Sequence, residues 1–431
     1  MHDRSMTQSR PPPTQHSECE TGTTPSWAVE RKILSHLIRR LGDSPIEVVL
    51  WDGSVIKPPA DRQPRFRITI HDRQTLWRAL WNPDYAIPNA FVEGRITTED
   101  DLVELLKAYF IAWRHRPRMR FKRFGEPSRS LSAARENVYR HYDLGNDFYR
   151  LWLDQRMLYT CAYYNSEEMG LENAQLAKMD HICHKLQLQP GEHVIEAGCG
   201  WGGLAIHMAK KYNVNVTAFN VSREQIKYAN QLACQKGLLH RIKFVEDDWR
   251  NIKGRCDAFV SVGMLEHVGP ENYQTLGKVI DQCLVNEGRG LIHSIGMNYP
   301  RQLDEWTQRK IFPGAQPPSL KQMTSIFEPY DFSIHDVENL RPHYALTLRH
   351  WLQRFDQADD EVRMTFDDAF VRLWRFYLSA SIAAFETGWL QLYQVLFSRV
   401  NYPNQPLTRD HLYDGGIVDH QLSAYQQLPD V

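Results

Sequence analysis

Apolar side chains along this chain follow two periods in turn, and each change of period marks an element. Over residues 27–41, Ile33, Leu34, Leu37, Ile38 and Leu41 fall on one helical face. The period then drops to two. Ile46, Val48 and Leu50 alternate with other neighbours, Asp52 and Gly53 supply a hairpin turn, and Phe66, Ile68 and Ile70 alternate again. Helical spacing returns over 74–81 and 100–113, which predicts a small α+β module spanning residues 26–115. Two further helices are predicted over 138–153 and 172–188. From residue 194 onward, short continuous apolar runs alternate with helical stretches, giving strands at 194–197, 214–219, 242–245, 258–262 and 290–295. That alternation predicts an α/β domain with a mostly parallel sheet covered on both faces. Past Pro300, the stretch Phe312-Pro313-Gly314-Ala315-Gln316-Pro317-Pro318 excludes regular structure and is a candidate lid. Helices resume over 344–355 and 366–399, where Phe370, Trp374, Tyr377, Phe385, Leu392 and Leu396 recur at helical spacing and are expected to pack inside the domain.

Composition narrows this picture. The 431 residues suffice for two domains, with 131–400 as the larger one. A net charge of -1 with 42% hydrophobic residues excludes wholesale disorder and argues against a globally basic nucleic-acid binder. Seven scattered cysteines without a C-x-x-C pair indicate neither a disulfide frame nor a zinc or other metal site, and fit a reducing cytoplasm. Residues 1–25, rich in Ser, Thr, Gln and Pro, are expected to form a disordered leader, and 401–431 a tail. No run approaches the roughly 18 apolar residues that span a membrane. Charge is concentrated in Arg-His-Arg-Pro-Arg-Met-Arg-Phe-Lys-Arg at 114–123, which leads into a linker over 116–130. Basic side chains with interleaved Met119, Phe121 and Phe124 suit anionic headgroups at a membrane surface; a solvated hinge is the competing reading.

The candidate chemistry begins where the strand at 194–197 runs into Gly198-Cys199-Gly200-Trp201-Gly202-Gly203. Glycines permit open backbone angles there and let a ligand approach the main chain. Gly198, Gly200 and Gly203 satisfy the dinucleotide pattern G-x-G-x-x-G. A dinucleotide site, however, also wants an acidic residue at the end of the second strand to hold the ribose. This second strand ends in Asn220 and Val221. S-adenosylmethionine has no pyrophosphate and carries an amine, for which Glu196 is a plausible partner. The pattern leans to that cofactor, with the dinucleotide as the alternative.

Taken with these pieces, the chain resembles the cyclopropane-fatty-acid synthase family, including the mycolic acid cyclopropane synthases, from about residue 30 to 400. The resemblance rests on Tyr142-Asp143-x-Gly-Asn-Asp-Phe-Tyr149, Tyr159-Thr-Cys-Ala162, Gly198-Cys-Gly-Trp-Gly202, Ser261-Val-Gly-Met-Leu-Glu-His-Val-Gly269, Ile311-Phe-Pro-Gly314 and Glu338-Asn-Leu-x-x-His-Tyr344. It implies a Rossmann-like methyltransferase core with S-adenosylmethionine held by Tyr159, Thr160, Val194, Ile195, Glu196, Ala197, Gly198, Cys199, Gly200, Trp201, Gly202, Asn220, Val221, Ser222, Gln225, Trp249 and Arg250. It also implies a bicarbonate ion near the reactive methyl, held by Cys161, Glu266, His293, Ile295 and Tyr344. The expected reaction adds a methylene group to a cis double bond in phospholipid acyl chains at the inner face of the cytoplasmic membrane. An alkene is a poor nucleophile, so it must be held against the sulfonium methyl with water excluded, and the resulting carbocation closes to a ring on losing a proton to the weak base. Glu266, His293 and Tyr344 would orient that base, with backbone groups at Cys161 and Ile295 assisting. A methyl or methylene branch, or a lipid-binding relative without catalysis, are the rival outcomes. Ser381 stands where many members carry Cys and is expected to serve packing. Glu386 stands where they carry a basic residue, and Asn220 replaces the usual Thr. Oligomeric state is open, a homodimer included.

Overall fold

The computed structural model describes Lys32 and residues 45–58, 63–114 and 144–413. The leader, the helix expected over 27–41 apart from Lys32, the basic run beyond residue 114, the linker over 116–130 and the end of the tail lie outside the described residues.

The first strand, β1 (Ile46–Val49), turns at Asp52 and Gly53 into β2 (Val55–Ile56), with Val48 opposite Ile56. The turn is where the alternation puts it, but its partner differs: β3 (Phe66–Ile70) runs parallel to β1 on the other edge. A tight turn pairs the residues that follow it at once, so the later strand takes the remaining edge. Helix α1 (Arg73–Trp81) is capped by Asp72, whose carboxylate accepts from Thr75 N–H. Helix α2 (Pro83–Val92) was not legible in the pattern because it contains Pro88. Pro83 stands at its first position, where a proline is tolerated, whereas Pro88, inside its second turn, removes the hydrogen bond to the Asp84 carbonyl. A short β4 (Ile96–Thr97) precedes α3 (Leu102–Arg114).

The helix expected over 138–153 is broken within its described part. Gly145, at φ +88°, precedes a single short helix, α4 (Asn146–Arg150), and the chain then turns to bury Trp152 and Leu153. Helix α5 (Leu171–Lys185) follows, and then the alternating core: β5 (His193–Ala197), α6 (Gly203–Lys211), β6 (Asn215–Asn220), α7 (Arg223–Gln235), β7 (Ile242–Glu246), β8 (Cys256–Val262), α8 (Leu265–Val268), α9 (Tyr273–Cys283) and β9 (Leu284–Gly296). After these come α10 (Glu305–Lys310), α11 (Leu320–Phe327), β10 (Phe332–Asn339), α12 (Arg341–Gln357), α13 (Asp359–Thr365), α14 (Asp368–Glu386) and β11 (Gln391–Arg399). The seven strands lie in the order β10-β11-β9-β8-β5-β6-β7, and only β11 runs against the rest.

The final strand corrects the helix expected over 366–399. Helix α14 stops at Glu386, where Gly388 adopts φ +72° and the N–H groups of Gly388 and Trp389 return to the carbonyls of Phe385 and Ala384. Leu392 and Leu396 therefore belong to a strand. The aromatic stripe of α14 packs inward as expected: Phe148 stands edge-on to Trp374 and Phe370, and Tyr377 and Phe385 are buried.

The N-terminal helices close onto this core. Both α2 and α3 pack against α14. Arg372 of α14 donates to the Val92 carbonyl, and Glu386 accepts from Lys107 of α3 and Arg349 of α12. An acidic residue at 386 is thus the centre of a bridge between three helices. Among the described residues, no helix is long and apolar enough to cross a membrane.

Candidate functional site

Two chambers open at the carboxyl ends of the parallel strands, where ligands of open α/β sheets bind. The first is a cleft built on the turn between β5 and α6. Gly198, Gly200 and Gly202 all have positive φ. A Cβ at Gly198 would strike Met264 and one at Gly202 would strike Ala229 and Phe244, whereas one at Gly200 would meet open space. The cleft is lined by Tyr159, Thr160, Lys178, Glu196, Gly198, Cys199, Gly200, Trp201, Asn220, Val221, Gln225, Asp247, Asp248, Trp249 and Arg250. Asn220 donates to Gln225 Oε1 at 2.7 Å and to the Gly200 carbonyl, which ties the second strand to the glycine loop. Trp201 donates from its indole to Asn146, giving the motif around residues 145–149 its purpose. Arg250 is held by Asp248.

Val194, Ile195 and Ala197 are fully buried in the sheet and do not reach the cleft; Gly202 and Ser222 stand behind it, the latter as the cap of α7. Sequence reasoning passed over Lys178. Its signal was a recurrence of polar residues, Gln175, Lys178, His181 and Lys185, on the buried face of α5. Glu196 is buried with Oε2 unpaired, and burial pushes its carboxyl up to about 8.

The second chamber is a mainly apolar cavity of about 780 Å³, within the range of ligand cavities, roughly 300–1,000 Å³. Its walls come from both ends of the chain: Ile87, Phe91, Leu106 and Phe110 from α2 and α3, and Phe376, Tyr377, Ser381 and Phe385 from α14. Ser381 is thus part of the cavity surface as well as of the helix packing. All five residues expected to hold bicarbonate, Cys161, Glu266, His293, Ile295 and Tyr344, line it together. Glu266 accepts from Ile295 N–H at 2.6 Å through Oε1, so that backbone donor is already engaged. Glu266 Oε2 and His293 Nε2 are buried without a protein partner. Burial pushes the Glu266 carboxyl up to about 7 and the His293 ring down to about 3. Burial raises the Cys161 thiol as well, and its Sγ donates to the Ala162 carbonyl, so it is no thiolate. Tyr344 packs its ring 4.5 Å from Phe385.

The chambers share Tyr159, Thr160, Gly263 and His267. Gly263 sits there because a Cβ would stand 3.0 Å from the Thr160 methyl. The stretch expected to be a lid borders both: Phe312 faces the cavity, Pro313 and Gly314 face the cleft, and Gln316 N–H donates to the Glu266 carbonyl. The last motif also finds its roles. Glu338 binds Lys185 and His181, His343 Nδ1 accepts from Tyr164 N–H, and Tyr344 reaches the cavity.

The sheet order, with the antiparallel β11 between β10 and β9, and the glycine turn define a Rossmann-like core of the methyltransferase class. The profile of the family described as mycolic acid cyclopropane synthetase matches residues 129–395, and the chain belongs to that family. A probable fatty acid methyltransferase of Pseudomonas putida is 33% identical over 86% of this chain and 96% of its own length. The cyclopropane-fatty-acyl-phospholipid synthase of Escherichia coli (strain K12) is 42% identical over 60% of this chain and 66% of its own. Among solved structures, the mycolic acid cyclopropane synthase CmaA1 complexed with SAH and CTAB is 30% identical over 61% of this chain and 98% of its own, with a TM-score of 0.58.

Proposed function

We propose that this protein transfers a methylene group from S-adenosylmethionine to the cis double bond of an unsaturated phospholipid acyl chain, forming a cyclopropane ring. One observation carries the reading: a cleft built on the glycine loop and a large apolar cavity meet at Tyr159, Thr160, Gly263 and His267, and Glu266 and His293, each with an unpaired buried atom, line the apolar side. The names of the Escherichia coli relative and of the solved synthase support it.

The residues present fit the groups the family implies. A buried unpaired polar atom costs about 1–3 kcal/mol, so Glu196 Oε2 in the cleft and the Glu266 and His293 atoms in the cavity call for polar partners. Glu196 suits an ammonium, as in the amino-acid end of S-adenosylmethionine. Glu266, His293 and Tyr344 would hold bicarbonate. When bound, the two groups supply the methyl and a weak base for its proton. The chain itself aligns the apolar substrate against the shared wall, keeps water out with Phe312, Tyr377 and Phe385, and fixes polar groups where charge develops. The membrane would be met at its cytoplasmic face, with the N-terminal helices and the basic run guiding the lipid inward.

The name of the Pseudomonas putida relative, matched over most of this chain, favours a second reading in which the product is a methyl branch. A trideuterated methyl donor with vesicles of a monounsaturated phospholipid separates the two. Ring closure leaves two deuteriums on the new carbon and upfield ring protons by NMR. A methylene branch also leaves two but shows olefinic protons, and three retained deuteriums would overturn the ring.

A further inference from the structure

His293 and Gln394 face each other directly across the antiparallel pair of β9 and β11, both side chains fully buried. Such cross-strand neighbours share one face of the sheet and lie within side-chain contact. Gln394 Nε2 stands 3.1 Å from His293 Nδ1, and the other ring nitrogen, Nε2, is buried without a protein partner in a residue that lines the cavity. We propose that Gln394 is a positioning residue that fixes His293 as the neutral tautomer with its proton on Nε2, so that the ring offers the cavity a hydrogen-bond donor and no base.

The argument is one of donors and acceptors. A neutral imidazole has one of each, and the partner of one nitrogen decides the role of the other. An amide N–H on Nδ1 makes that nitrogen the acceptor and leaves the proton on Nε2. With the amide turned over, its oxygen would demand the proton on Nδ1. A bare Nε2 lone pair would then share the cavity with Glu266 Oε2, which also has no partner. A charged ring is disfavoured by burial, with Lys178, Lys185 and His181 adding to that effect and Glu338 opposing it. Glu266 is anchored to the N–H of Ile295, two residues along β9 from His293. An anion with an acidic partner in Glu266 and an N–H donor in His293 is the ligand this pair takes. The proton lost by the substrate must then leave on that anion, not on the histidine. This last step rests on the function proposed above, whereas the tautomer does not.

The test uses the full chain with 15N in its histidine rings, bound to S-adenosylhomocysteine at pH 7, the His293 signals being assigned by their loss in His293→Gln. Proton-nitrogen correlation should find Nε2 protonated and Nδ1 bare. A proton on Nδ1, or on both nitrogens, overturns the proposal. In Gln394→Glu the carboxylate should draw the proton to Nδ1, and turnover on unsaturated vesicles should fall about tenfold or more while S-adenosylhomocysteine affinity stays within about twofold. An unchanged tautomer, or a changed tautomer with full turnover, removes Gln394 from its role. Should Gln394→Glu not fold, Gln394→Met, which has no donor, must lose the single tautomer. If the product test fails while the tautomer stands, the reaction is misread and the pair is not.

Discussion

Lys178 lies beneath the wall between the two chambers and donates from Nζ to Thr160 Oγ1 at 2.8 Å, with 1% of its surface exposed. One turn earlier on α5, Gln175 donates to the carbonyls of Leu158 and Thr160. The strap that both ligands would touch is therefore held from below by a single helix face. A hydrogen bond to a charged group is worth about 1.5–3 kcal/mol. Lys178→Met and Thr160→Val are each expected to weaken S-adenosylhomocysteine binding about tenfold by calorimetry, and not additively. Wild-type affinity in both folded variants would reduce the contact to packing.

Gly200 and Gly202 differ in what a side chain would meet, so they should fail in different ways. A Cβ at Gly200 projects into open cleft, and Gly200→Val is expected to lose cofactor affinity at least about tenfold with a modest loss of stability, roughly 1–2 kcal/mol from the left-handed backbone. Gly202→Ala would press on Ala229 and Phe244 at 2.8 Å and should chiefly unfold the protein. Thermal unfolding beside calorimetry separates the two outcomes.

Glu266→Gln preserves shape and the hydrogen bond from Ile295 but removes the carboxyl group that would orient the base. Turnover is expected to drop about 10²–10³-fold, the usual loss for one oriented electrostatic partner, with cofactor affinity nearly unchanged. Steady-state rates on vesicles and calorimetry on the same sample decide it.

The buried carboxyl of Glu196 links folding to pH. Its ordinary value is 4.5, and burial raises it to about 8, the Lys178 charge opposing the rise. Between those values the unfolded chain has lost the proton and the folded chain keeps it, so this group weakens folding as pH rises through the window. Glu196→Gln should gain stability relative to wild type from pH 5 to 8, by at most about 1.4 kcal/mol per pH unit, in urea unfolding without ligand. A flat difference would show that the carboxyl is ionised throughout.

At the corner leading from α1 into the cavity wall of α2, Trp81 is 89% exposed, with Trp77 one turn back at 43%. Indole rings suit the boundary between headgroups and chains. Trp81→Ala is expected to lower vesicle binding several-fold without changing S-adenosylhomocysteine affinity. Reversing Arg116, Arg118 and Arg120 should lower it mainly at low salt, as screened charges do. Sedimentation of both variants with anionic and with neutral vesicles distinguishes ring from charge, and wild-type sedimentation of Trp81→Ala would exclude the corner as a membrane contact.

The parallel sheet and the glycine cleft were legible because each depends on short stretches: an apolar run, a turn, the residue that follows. What escaped the pattern was settled over long distances or hidden in local punctuation. Leu392 and Leu396 continue the helical spacing of α14 by coincidence, and only Thr387 and Gly388 mark the stop. Pro83 and Pro88 disguise α2. Cys161, Glu266, His293, Ile295 and Tyr344 line one cavity, yet Ile295 N–H is occupied by Glu266, and Gln394 becomes visible only once β11 is known to pair with β9. Lys178 was hidden because a charged residue on a helix is read as solvent-facing until its neighbours are counted.

The contact from Arg372 to Val92 spans 280 residues and ties α14 to α2, both of which line the apolar cavity. At about 5–20 residues per second, a ribosome takes roughly 15 to 55 seconds to cover that separation. For that interval Phe91, Leu106 and Phe110 have been made, but the helix that covers them has not. A newborn chain therefore carries a half-built apolar wall through most of its synthesis.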